Sequence, residues 1–187
     1  MYFDDYAKML AETVEKVDRA EVEKLYAMMD EARLNGRRVF MLGNGGAAAS
    51  ASHWVCDFGK GINVGDSKRL KMVSPVDNSA IFSALGNDFG YDTSFAYQIQ
   101  NLIEPDDLVI CMSVSGSSPN LVEAVKVAKA AGAKTVCIVG DKNGSLIGMC
   151  DFPMVIKSQN YGVVEDIHMI LCHAISQHMK KANEANA

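Results

Sequence analysis

Apolar residues recur at three- and four-residue spacing through the first part of the chain, as they do in helices with one buried face. Met9, Leu10, Val14 and Val17 form one such stripe, and Val22, Leu25, Tyr26 and Met29 a second. Residues 3–34 therefore read as an amphipathic helical pair that stops at Gly36. The apolar face of such a pair needs a cover, either the rest of the chain or a partner subunit.

Beyond Gly36 the pattern changes to short, nearly continuous apolar runs alternating with helical periods. Strands are expected over residues 38–42, 70–76, 107–112, 134–139 and 152–157, and helices over 47–59, 78–85, 95–103, 120–131 and 163–180. Continuous apolar strands separated by helices mean a parallel sheet covered on both faces, here a doubly wound α/β fold of five strands. The expected organisation is a single domain over residues 1–187. Residues 1–35 form the helical pair, 36–180 the α/β core and 181–187 a polar, frayed tail. No repeat or linker interrupts it.

Composition narrows the function. A chain of 187 residues with 49% hydrophobic and 22% charged residues is that of a folded globular domain. A formal net charge of −5 speaks against a general nucleic-acid binder, whose phosphate contacts need clustered Lys and Arg. The cysteines (56, 111, 137, 150 and 172) are scattered, and most lie in apolar runs. They read as reduced core thiols of a cytoplasmic protein, Cys56 included. The acidic N-terminus lacks a signal-peptide pattern, and no run approaches a membrane span.

Two loops carry chemistry. Gly43-Asn44-Gly45-Gly46 follows the first strand and opens a helix, so its backbone can approach a ligand at a helix N-terminus. It matches neither the P-loop nor the dinucleotide fingerprint, so no nucleotide cofactor is expected; a plain tight turn is the rival reading. Ser113-Val114-Ser115-Gly116-Ser117-Ser118-Pro119 likewise joins a strand to a helix. Helix capping by Ser117 or Ser118, with Pro119 in the first turn, accounts for two serines at most. Ser113, Ser115 and Ser118 together make a cradle for a phosphate monoester without any Lys or Arg.

Two helices carry titratable pairs. His53 and Asp57 are four apart and share a face. Glu165 and His173 on the last helix are about 80° apart around it. Such a set can bind zinc or act as acid and base, while spacing alone also allows solvated surface residues. His168, three residues after Glu165, either orients that carboxylate or is a surface or interface histidine.

Together with Gly86-Asn87-Asp88-Phe89-Gly90 and Glu165-Asp166-Ile167-His168, these loops make the chain resemble the sugar isomerase (SIS) domains, and among them the phosphoheptose isomerases. The resemblance spans residues 39–175. It implies aldose–ketose isomerisation of a phosphorylated sugar, sedoheptulose 7-phosphate to a heptose 7-phosphate, through an enediol. The serine loop would hold the phosphate, with Asn44, Gly45, Gly46 and Asp88 also at the substrate. The family's zinc and proton-transfer positions match His53, Asp57, Glu165 and His173, and its sites lie at subunit interfaces of a homotetramer. Asp57 stands where the family has Glu, Glu165 where it has Gln, and Val114 where it has Thr. Asp57 and Glu165 are thus rival candidates for the base. A non-catalytic phosphosugar-binding regulator of the same fold is the alternative from another class.

Overall fold

The computed structural model describes residues 2–185. The N-terminal pair is α1 (Tyr2–Glu15) and α2 (Arg19–Leu34). Asp18 separates them by capping α2, its Oδ1 accepting the Ala20 N–H at 2.8 Å. The pair covers the chain's own core, since Leu10, Val14, Val17, Val22 and Tyr26 all pack on it.

Five strands follow: β1 (Arg38–Gly43), β2 (Lys71–Val73), β3 (Leu108–Ser113), β4 (Lys134–Gly140) and β5 (Phe152–Ile156). Between and after them run α3 (Gly46–Cys56), α4 (Ser79–Asp88), α5 (Ala96–Gln100), α6 (Pro119–Ala130), α7 (Leu146–Met149) and α8 (Tyr161–Ala185). All strand pairs are parallel, in the order β2-β1-β3-β4-β5. This is the five-stranded doubly wound sheet expected from the strand–helix alternation. Val39 and Met41 point to the side covered by α2, α3 and α8, where Trp54, Ile138 and Leu171 are buried. Phe40 and Leu42 point the other way, beneath α5, α6 and α7. Strand order reverses at β1, so the loops leaving β1 and β3 lie side by side at the carboxyl edge, where such folds bind ligands.

Several elements differ from expectation. The β2 strand ends at Val73 rather than running to residue 76, because Pro75 has no N–H to donate to the ladder. The helix expected over 47–59 is α-helical only to Cys56 and continues as a π-helical turn, Asp57–Gly61, which begins at a candidate site residue. The helix expected over 95–103 shortens to α5, and α7 was not foreseen. The tail is not frayed over 181–185. There α8 continues, with Asn183 buried and donating to the Ile62 carbonyl at 2.8 Å, while residues 186–187 lie outside the described part.

Candidate active site

The serine loop turns from β3 into α6. Ser113 Oγ accepts the Gly116 N–H at 3.1 Å and sits 3.4 Å from Ser115 Oγ. Ser118 occupies the N-cap position of α6, yet its hydroxyl makes no capping bond and so remains available to a ligand. Ser113, Ser115 and Ser118 line a cavity of about 140 Å³ together with Asn44, Ala47, Met112, Val114, Tyr161 and Glu165. Hydroxyls at a helix N-terminus form one wall and a carboxylate another.

The glycine loop is tied to the serine loop by a reciprocal amide pair. Asn44 Nδ2 donates to Asn120 Oδ1 and Asn120 Nδ2 to Asn44 Oδ1, both at 2.9 Å. Tyr91 OH adds a third bond, donating to Asn44 Oδ1 at 2.8 Å. Asn120 is fully buried and also reaches Ser94 Oγ. The pair fixes the two loops relative to each other, so Asn44 is pre-set at the cavity wall.

Helices α3 and α8 lie side by side and meet at two levels. At the upper level Glu165 comes so close to Gly46 that a Cβ there would collide with its carboxylate. The glycine therefore lets Glu165 rest against the N-terminal, electropositive end of α3. At the lower level His53 Nε2 and His173 Nε2 face each other at 3.3 Å, with Asp57 Oδ2 at 3.5 Å and 3.9 Å from them. Numbers rise in the same sense on both helices, so they run parallel. Gly46 and His53 are seven residues apart, which separates the levels by roughly 10 Å.

At the lower level Cys172 donates its S–H to Asp57 Oδ2 at 3.7 Å. Burial, reinforced by the Asp57 charge, pushes this thiol well above the ordinary thiol range. His53, Asp57 and Cys172 together form a group able to ligate a metal ion. The facing imidazoles fit the same chemistry: two aromatic nitrogens and a carboxylate oxygen converge, and both rings are about half exposed at 47% and 49%. All three contacts to Asp57 use Oδ2. Asp57 also borders a cavity of about 150 Å³ lined by Gly61, Ser176, Gln177 and Lys180.

Of the expected residues, Ser113, Ser115, Ser118, Asn44 and Glu165 line one cavity, Gly45 and Gly46 open the adjacent helix, and His53, Asp57 and His173 form one cluster. Two placements differ from expectation. Glu165 lies against Gly46 rather than with His53, Asp57 and His173, and Cys172 is the fourth residue there. Asp88 ends α4 exposed, bonded to Asn87 Nδ2, and does not line the cavity.

His168 neither orients Glu165 nor lies at the surface. It is fully buried against β4, its Nε2 3.1 Å from the Ile138 carbonyl, and desolvation lowers its pKa to about 4. Cys56, read as a buried thiol, is exposed, whereas the other cysteines are buried. Asn120, Tyr91, Tyr161 and Cys172 were missed. The clearest signal among them was Asn120, a polar residue directly after Pro119 at the start of a helix.

A parallel sheet with two ligand loops at its switch point and a hydroxyl cradle at a helix N-terminus defines a SIS domain. The SIS domain family model matches residues 1–140, and the chain belongs to that family. Within it the chain is a member of the phosphoheptose isomerases. It is 30% identical to the phosphoheptose isomerase of Aliarcobacter butzleri over 92% of this chain and 90% of that protein. It is 35% identical to that of Mycobacterium tuberculosis over 79% of this chain and 74% of the relative. The fold superposes with a TM-score of 0.85 on a phosphoheptose isomerase structure from Neisseria gonorrhoeae at 24% identity, covering 97% of this chain and all of the other.

Proposed function

We propose that this protein is an aldose–ketose isomerase acting on a seven-carbon sugar phosphate, interconverting sedoheptulose 7-phosphate and a heptose 7-phosphate. The observation that carries the reading is the two-level seam between α3 and α8. A hydroxyl cradle for the phosphate stands at one end, and an acid–imidazole cluster roughly two helical turns away suits the far end of an extended sugar. The membership among phosphoheptose isomerases supports an enzyme over a non-catalytic phosphosugar-binding regulator.

In this reading Ser113, Ser115 and Ser118 anchor the phosphate, and that remote binding energy orients C1 and C2. Asn44, at the cavity wall, contacts a sugar hydroxyl. Asp57 is the base the geometry favours, because Glu165 shares the phosphate cavity while Asp57 lies at the distal level with Oδ1 clear of the contacts its Oδ2 makes. From the ketose, Asp57 removes a C1 proton. The electron pair forms the C1–C2 double bond, and the C2 oxygen takes a proton from His173. Reversal through C2, with loss of the O1 proton to the imidazole, gives the aldose. In place of the imidazole proton, His53, Asp57 and His173 would hold a divalent metal, zinc by donor type, which when bound would stabilise the developing oxyanion as a Lewis acid instead of that proton transfer.

We further read the protein as a cytoplasmic homotetramer with sites at subunit interfaces. The half-exposed histidines support this, as does the apolar groove of Val14, Val17, Val22, Ile167, Ile170 and Leu171 between the N-terminal pair and α8. Among the described residues no helix is long and apolar enough to cross a membrane. Incubation with sedoheptulose 7-phosphate in deuterium oxide, followed by NMR, tests the function. Solvent deuterium should enter at C1 or C2 with formation of the aldose. A protein that binds the sugar phosphate without exchange would be the phosphosugar-binding regulator instead.

A further inference from the structure

The phosphate cavity presents an electrostatic problem. Its hydroxyls carry no charge, and the Glu165 carboxylate forms part of the same wall, so a phosphate dianion would enter against a like charge. Tyr161 also lines the cavity, and Lys142 Nζ, just outside the lining, sits over the Tyr161 ring, 4.1 Å from its centroid. Among the described residues Lys142 forms no ion pair, since the adjacent Asp141 pairs with Lys157 at 3.8 Å. It is only half-buried, and its charge rests on the ring of a residue that lines the cavity.

The position of Lys142 is set by the backbone. It lies in the loop after β4, whose residues 144–146 are fastened to the serine loop. Leu146 N–H donates to the Gly116 carbonyl at 2.9 Å, and Ser145 N–H to Ser117 Oγ at 3.2 Å. Gly144 packs so closely that a Cβ there would collide with the Gly116 backbone. A loop bound in this way moves with the cradle, so the lysine keeps a fixed relation to any anion held there.

We propose that Lys142, positioned by the Tyr161 ring, is the cation that meets the phosphate group and offsets Glu165, making the site selective for phosphorylated over free sugars. This rests on the sugar-phosphate reading above. Tyr161 acts through Lys142 and through the shape of the wall; its hydroxyl is not required.

The test is calorimetric titration of the full chain with sedoheptulose 7-phosphate, with inorganic phosphate and with free sedoheptulose. Lys142→Met should weaken binding of both phosphate-bearing probes about 10- to 100-fold, the range of a charged hydrogen bond, and leave free sedoheptulose unchanged. Lys142→Arg and Tyr161→Phe should stay close to wild type, while Tyr161→Ala should weaken the same two probes. Lys142→Met binding inorganic phosphate as tightly as wild type overturns the assignment. Wild-type protein that binds inorganic phosphate in a Lys142-dependent way, but no sugar phosphate, upholds the lysine and removes the isomerase reading. Binding of neither probe by wild type overturns both.

Discussion

His53 Nε2 and His173 Nε2 face each other at 3.3 Å across the α3–α8 seam. Two imidazole nitrogens at that distance share either a proton or a cation, and Asp57 Oδ2 stands within reach of both rings. Purified protein should therefore carry a divalent ion up to one per chain. His53→Ala and His173→Ala should each lower that content in elemental analysis. Ion-free protein whose turnover ignores both chelator and added zinc would leave only metal-free acid–base chemistry.

The two carboxylates on the seam separate by substitution. Asp57→Asn should lower turnover about 10²–10⁴-fold, the usual contribution of a general base. Glu165→Gln should retain turnover and bind the phosphate ester at least as well, because it removes a negative charge from the cavity wall. Steady-state kinetics with solvent-deuterium exchange report both, and the opposite ranking would move the base to Glu165.

Anchoring by the serine loop predicts a binding loss without a folding loss. Ser115→Ala with Ser118→Ala should weaken sugar-phosphate affinity, each lost bond to a charged oxygen being worth about 1.5–3 kcal/mol. The melting temperature should fall only slightly, because Ser118 caps nothing in the free protein and Ser115 Oγ makes only long contacts of 3.4 Å. A double variant with wild-type affinity would remove this loop from the site.

A Cβ at Gly46 would first meet the Glu165 carboxylate. Gly46→Ala should push that carboxylate aside and destabilise the fold by about 1 kcal/mol, the low end of overpacking, because the far end of a flexible side chain can move. The loss should shrink when Glu165→Ala is added. Urea unfolding of the four proteins of this double-mutant cycle measures the coupling, and strictly additive effects would contradict the contact.

His168 predicts a pH dependence of stability. Burial lowers its pKa from 6.5 to about 4, so the unfolded chain takes up a proton between those values while the folded chain does not. Stability is full above pH 6.5 and falls as pH drops towards 4, by about 3 kcal/mol over the window. Replacing His168 with Gln should flatten that part of the urea-midpoint profile.

The sequence by itself determined the elements and the loops, because their signals are local. The alternation of apolar strands with helices, the glycine loop after Leu42 and the serine loop after Met112 are each complete within a short stretch of chain. Spacing along α8 likewise showed that Glu165 and His173 lie on related faces. Only the tertiary structure decided what those faces meet. Because α3 and α8 run parallel, Glu165 is carried to Gly46 at the level of the serine-loop cavity and His173 to His53 roughly two turns below. His168 points at β4 and is desolvated there, and Asn120 reaches back to Asn44 because strand order sets the first and third loops side by side. A helical period gives an angle around one axis and carries no information about the neighbour across it. That neighbour is chosen by strand order and by core packing, which here join residues from 30 to 120 positions apart.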